Sequence, residues 1–197
     1  MLGAAALAVG VERFVDAEAL EGLRARWEML AGAFPEASFP AVDEAFLKGA
    51  LGELCLGLRN FDELRQADLL GALTGRLSAE QSRLLATTAP QKVTLPGGRT
   101  VPIHYERGKP PWIESRLQDF FGLAKGPSVG GGRVPLVLHL LAPNQRAVQV
   151  TTDLAGFWER HYPAIRKELM RKYPRHHWPE DGRTAVPMPP RPRPPRR

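Results

Sequence analysis

Cysteine is almost missing from this 197-residue sequence, and the single Cys55 excludes both an intramolecular disulfide and a cysteine metal site. Its setting among leucines suits a buried apolar thiol. A membrane-length apolar run is also missing. The opening MLGAAALAVGV has eleven uncharged residues, short of the roughly 20 a bilayer requires, and lacks the charged n-region of a secretory signal. These features predict a cytoplasmic protein with no membrane contact. No Gly-x-x-x-x-Gly-Lys-Ser/Thr loop occurs, so nothing here cradles a nucleotide's phosphates. The nearest approach, Gly126 to Arg133, has Gly132 where the lysine is required. No Ser/His/Asp or Cys/His set offers a nucleophile, and His161, His176 and His177 lack a carboxylate or cysteine at ligand spacing. Catalytic and metal-binding residues are therefore expected to be none.

What is present is an apolar content of 43%, enough for a core, and a sharply divided charge. Residues 1–91 hold 8 Lys/Arg against 13 Asp/Glu, whereas residues 92–197 hold 19 against 8 and all five histidines. The basic half is where nucleic acid or another acidic partner would meet the chain.

Periodicity follows the same division. Leu20, Leu23, Trp27, Leu30 and Phe34 recur at helical spacing, as do Leu47, Leu51, Leu54, Cys55 and Leu58. Asn60 with Glu63 and Ser78 with Gln81 read as helix caps, the first opening one helix through Leu64, Leu69, Leu70, Leu73 and Leu77. Residues 12–90 thus read as a helical bundle. After Pro90 the period changes to two: residues 91–95 and 99–105 form a hairpin about Pro96-Gly97-Gly98. A weak edge segment follows at Lys109 to Ile113, then a short helix from Glu114 to Phe121. Further strands are expected at 134–141 and 147–150. Three strands, a helix and two strands match an OB-like five-stranded barrel over residues 91–152. Asp153 then caps a helical extension to residue 182, in which Pro163 starts a second helix and Trp178-Pro179 clamps its end. Residues 183–197 form a basic Pro/Arg tail with no means of building a core, and disorder is expected there. The fold class is α+β: bundle, barrel and C-terminal extension.

In an OB barrel the loops between strands one and two and between four and five grip single strands. Here they are Gly97-Gly98-Arg99 and Asn144-Gln145-Arg146. Arg99, Lys109, Arg133 and Arg146, with Lys167, Arg171 and Lys172 on the last helix, are candidate phosphate contacts. Tyr105 and Trp112 are candidate base-stacking residues. A protein partner docking on the basic last helix and tail is the competing reading.

Several motifs carry a family resemblance. They are Arg116-Leu117-Gln118 with Phe120-Phe121-Gly122-Leu123, Gly132-Arg133-Val134-Pro135-Leu136, Ala147-Val148-Gln149-Val150-Thr151, and Asp153 to Trp158. Arg166-Lys167-Glu168-Leu169, Tyr173-Pro174-Arg175-His176 and Trp178-Pro179-Glu180-Asp181 complete the series. Together these resemble the C-terminal region of the HrpB family of bacterial DEAH-box RNA helicases. Residues 90–181 resemble it closely and residues 20–90 more loosely. Ala147, Arg175, His177 and Gly182 replace the family's proline, lysine, proline and proline. The resemblance implies an accessory region that holds single-stranded RNA or DNA and works with helicase motor domains in cis or in trans. It places ATP and magnesium in those motor domains, so no cofactor is expected here. Asp43-Glu44-Ala45-Phe46 falls one residue short of the DEAH box and reads as a helix start. Without the motor domains the chain is expected to be a fragment of a longer helicase or a remnant of one, inactive by itself in ATP hydrolysis.

Overall fold

Short polar side chains at helix entries lay out the N-terminal half of the computed structural model, which describes residues 2–187 and 189. The first helix, α1 (Leu2–Val9), buries Ala6 and ends before Gly10, whose φ of 100° suits only glycine. Asp16 accepts from the Ala19 N–H at 2.8 Å and opens α2 (Ala17–Ala33), which buries Leu20, Leu23, Trp27 and Leu30 along one face. Asp43 accepts from the Phe46 N–H at 2.8 Å at the head of α3 (Glu44–Leu54), so the near-DEAH letters are indeed a helix start. Asn60 caps α4 (Phe61–Gln66), and a full capping box of Ser78 and Gln81 opens α6 (Ala79–Thr88).

The single helix expected after Asn60 is two. Ala67 is extended, at φ −77° and ψ 147°, and Asp68 accepts from the Gly71 N–H at 2.7 Å to start α5 (Leu69–Gly75). A carboxylate that bonds the backbone two or three residues on competes with continuing the helix, and here it wins. Leu64, Leu69 and Leu73 still reach one core with Leu20, Leu30, Leu47, Leu51 and Cys55. This helical unit comprises the chain up to Ala89 together with Tyr105–Lys109.

The second unit comprises Pro90–His104 and the chain from Pro110 onward. The hairpin is present as β1 (Lys92–Thr94) and β2 (Thr100–Pro102), paired antiparallel about Gly98 at φ 85°. The segment from 114 to 121 is not a helix. Instead β3 (Trp112–Arg116) continues to Arg116, and only Leu117–Phe120 forms a 3-10 turn. Ile113 and Ser115 are buried while Glu114 is exposed, the period-two pattern of a strand. Nor is β3 an edge. It pairs parallel with β6 (Val137–Leu141) on one side and bridges to His104 on the other. Pro110 and Pro111 precede the strand, so they remove no hydrogen bond from its ladder. β6 pairs antiparallel with β7 (Ala147–Thr151), and β4 (Ser128–Val129) pairs with β5 (Val134–Pro135). The molecule is thus mixed α+β, with its strands in three small sheets and no closed barrel among the described residues.

Asp153 accepts from the Gly156 N–H at 2.8 Å and opens α7 (Leu154–Gly156), which runs through a π-helical turn, Phe157–His161, into α8 (Tyr162–Lys172). Pro163 lies in the first turn of α8, where it forfeits no helical bond. Phe121, Phe157, Trp158 and Tyr162 pack as an aromatic cluster. Trp178 is buried, donates its indole N–H to the Tyr173 carbonyl at 3.0 Å, and offers its own carbonyl to Arg166 Nε at 2.9 Å. Arg183 pairs with Asp181 and Glu159, and Pro187 lies against Gly122. Of the tail expected to be disordered, residues 188 and 190–197 lie outside the described residues. No described helix is long and apolar enough to cross a membrane.

Candidate nucleic-acid interface

The β3–β6–β7 sheet has one dry face and one open one. Ile113, Ser115, Leu138 and Leu140 are buried, whereas Trp112, Glu114, Val137, His139 and Val150 alternate with them on the other side. Cross-strand neighbours on the open face make a ring stack. The His104 and Trp112 rings lie 3.9 Å apart at 13°, and the Trp112 and His139 rings 4.7 Å apart at 22°. Because β3 runs between His104 and β6, the imidazoles flank the indole on opposite sides. Val150, paired with His139, is 48% exposed beside the end of the stack. Trp27, Trp158 and Trp178 are buried, so Trp112 is the tryptophan that meets solvent.

A polar cluster lies at the far end of β3. Asp119, only 8% exposed, accepts from the Ser115 hydroxyl at 2.6 Å. The same carboxylate oxygen stands 3.5 Å from Arg99 Nε and 3.6 Å from Arg116 Nε. Arg99 is therefore held by a buried counter-ion at the β1–β2 turn. Arg146 stands exposed on the β6–β7 turn, its N–H donating to Asn144 Oδ1 at 3.3 Å, with Gln145 at φ 66°. Arg133 is exposed at the end of the glycine turn, Gly130–Gly132.

The other candidates fall elsewhere. Lys167, Arg171 and Lys172 are exposed on α8, with Lys172 Nζ 5.7 Å from the centre of the Tyr173 ring. Lys109 belongs to the helical unit, where it pairs with Glu106 at 2.5 Å. Tyr105 is in that unit too, half-buried, its hydroxyl pushed up to about 12 by burial and pulled partly back by Arg26. Arg26 in turn donates to the carbonyls of Ala89 at 2.8 Å and Leu85 at 3.3 Å.

Comparison with known proteins sets this geometry in a lineage. Residues 50–182 match the family described as ATP-dependent helicase C-terminal, HrpB type. The chain belongs to the HrpB C-terminal family. It is 39% identical over 171 residues to the ATP-dependent RNA helicase HrpB of Escherichia coli K12, covering 85% of this chain and 21% of that protein. The crystal structure of the E. coli DExH-box NTPase HrpB superposes with a TM-score of 0.86 at 35% identity, over 95% of this chain and 24% of that one. A crystal structure of the E. coli DEAH/RHA helicase HrpB gives 0.66 at 38% identity, over 82% of this chain and 21% of the other. This HrpB-family chain thus spans about a fifth of the length of the curated relative it matches.

Of the residues at this face and its polar end, the sequence singles out Trp112, Arg99 and Arg146 as candidates but not His104, His139, Arg116 or Asp119. Alternation was the usable signal for His104, since Val101 and Ile103 face inward beside it. His139 depends on the pairing of distant strands, which no local pattern in the HrpB-family sequence reveals, and Asp119 depends on residues 114–116 being strand rather than the expected helix.

Proposed function

We propose that this chain holds single-stranded nucleic acid across the open face of the β3–β6–β7 sheet. In that role it is the accessory C-terminal part of an HrpB-like ATP-dependent RNA helicase whose motor domains lie in cis. The ring stack of His104, Trp112 and His139, set among the basic turns of Arg99 and Arg146, carries the reading. Rings held upright on a sheet present flat end faces on which a base can continue the stack, with little preference for sequence. Guanidiniums at the turns meet phosphates. Three strands, a helical turn and a later hairpin also support an OB-like relationship, here in an open form. Lys167, Arg171 and Lys172 add a basic flank. Nucleotide hydrolysis, ATP and magnesium belong to the motor, and a cytoplasmic setting goes with this reading.

The test is anisotropy of a fluorescein-labelled oligouridylate against the chain across a salt series, with tryptophan emission followed in parallel. Binding should weaken with salt, quench Trp112, and fall about 5- to 100-fold in Trp112→Ala. Salt-independent retention, or Trp112→Ala binding like the parent, refutes it. A protein captured through α8 after nuclease treatment would instead favour the docking reading.

A further inference from the structure

The geometry points to a phosphate clamp formed by Arg99 and Arg116 and held in place by the buried carboxylate of Asp119, for the phosphodiester of a single strand. This rests on the sheet-face reading above and adds to it a second contact, with Arg116 as an unsuspected ligand and Asp119 as a positioning residue.

Two guanidiniums brought to one oxygen would repel each other without it. Asp119 Oδ2 lies 3.5 Å from Arg99 Nε and 3.6 Å from Arg116 Nε, and the Ser115 hydroxyl fixes that oxygen from the core side at 2.6 Å. Two cations share one anion, so the cluster keeps a net positive charge. The pair is not consumed by its counter-ion. Both distances exceed good hydrogen-bond length, and Arg116 Nε is buried with no hydrogen-bond partner. Yet the arginine side chains are 41% and 32% exposed, so part of each reaches the surface. A guanidinium presents five donors in a planar fork, and phosphate oxygens satisfy that fork better than a single distant carboxylate oxygen does.

Placement makes the ligand a strand rather than a free ion. Trp112, Glu114 and Arg116 share the open face of β3, so indole and guanidinium stand four residues apart, about 13 Å along the strand. A chain stacked on the ring ladder therefore carries its backbone toward Arg116. Glu114 stands between them, exposed, and its charge disfavours any phosphate seated short of the clamp.

Four variants of the full chain decide this: Trp112→Ala, Arg116→Gln, Arg99→Gln and Asp119→Asn. Each is titrated with labelled oligouridylate over a salt series, and with a methylphosphonate strand of the same bases. Thermal melts establish folding, and Arg99→Gln, on an exposed turn, keeps the test alive if Arg116→Gln does not fold. Losing one phosphate contact should weaken RNA binding about tenfold and lower the salt slope by about 0.7. Binding to the uncharged strand should not change. Asp119→Asn removes a negative charge and still accepts from Ser115, so bulk electrostatics alone would tighten binding; a positioning role predicts weaker binding. Unchanged salt slopes in both arginine variants, or tighter binding in Asp119→Asn, overturn the clamp. If Trp112→Ala still loses affinity in that case, the sheet-face reading survives. If the unmodified chain binds neither strand, that reading has failed first.

Discussion

Replacing Tyr162 by Phe removes one oxygen, and its effect on stability should reverse with pH. Tyr162 is 1% exposed, donates to the Pro179 carbonyl at 2.8 Å, and meets Trp158 edge-on at 5.0 Å. Phe keeps the ring contacts and loses only the bond. A net hydrogen bond contributes about 1 kcal/mol, and a stranded acceptor costs up to about 3. Pro179 is half-buried, so water shares the acceptor and the lower figure applies. For a unit of roughly 100 residues, 1 kcal/mol corresponds to a Tm loss of about 4–8 °C. At alkaline pH a second effect opposes the first. Burial pushes the Tyr162 hydroxyl from 10.0 up to about 12, with Arg166 pulling it partly back. A folded pKa above the unfolded one stabilises fully below pH 10, and that contribution drains away as pH rises towards 12. By pH 11 the parent has lost about 1.4 kcal/mol from this residue, while the Phe variant has no such group to lose. The parent should therefore be more stable by about 1 kcal/mol at pH 7, and the Phe variant more stable by about 0.4 kcal/mol at pH 11. Tyr105, also raised to about 12, remains in both proteins and cancels. Urea unfolding followed by near-ultraviolet dichroism at the two pH values measures this. A gap that stays constant or widens refutes the argument that burial governs this hydroxyl.

Two further predictions concern caps. Ser78→Ala breaks the capping box with Gln81 and should cost about 1 kcal/mol, seen as faster amide exchange in the first turn of α6 and little change elsewhere. Asp153 is held below the ordinary 3.8 by the Gly156 N–H first and by Arg160 next. Its support for α7 should persist through mild acid and disappear only as pH falls through that lowered value. An NMR titration of its carboxyl with a midpoint at or above 3.8 would contradict this.

Helix entries were readable from the sequence because a cap is a local event: Asn60 and Ser78 lie within three residues of the amides they satisfy. The same short range misled at Asp68, where apolar spacing continued across a backbone break. Strand β3 was hidden by prolines that precede it and by a helix-like run of Leu117, Phe120 and Phe121, which forms only a 3-10 turn and the residue beyond it. The candidate site divides in the same way. Arg99 and Arg146 announce themselves through turn residues, and Trp112 through rarity. The histidines that flank Trp112 are set by the Trp112–Val137 register and the His104 bridge, which are properties of the folded sheet. Asp119 looked like an ordinary helix residue until β3 placed Ser115 and Arg116 around it.

The excursion of Tyr105–Lys109 into the helical unit bears on the order of synthesis. A chain made from its N-terminus delivers six helices first, then the β1–β2 hairpin, and only then the last piece of the helical unit. Arg26 therefore meets the Ala89 carbonyl early and Tyr105 late. At that moment β3 to β7 are still unmade. The two units cannot mature strictly one after the other on the ribosome, and a pause between residues 90 and 104 would expose an unfinished helical surface rather than a completed domain.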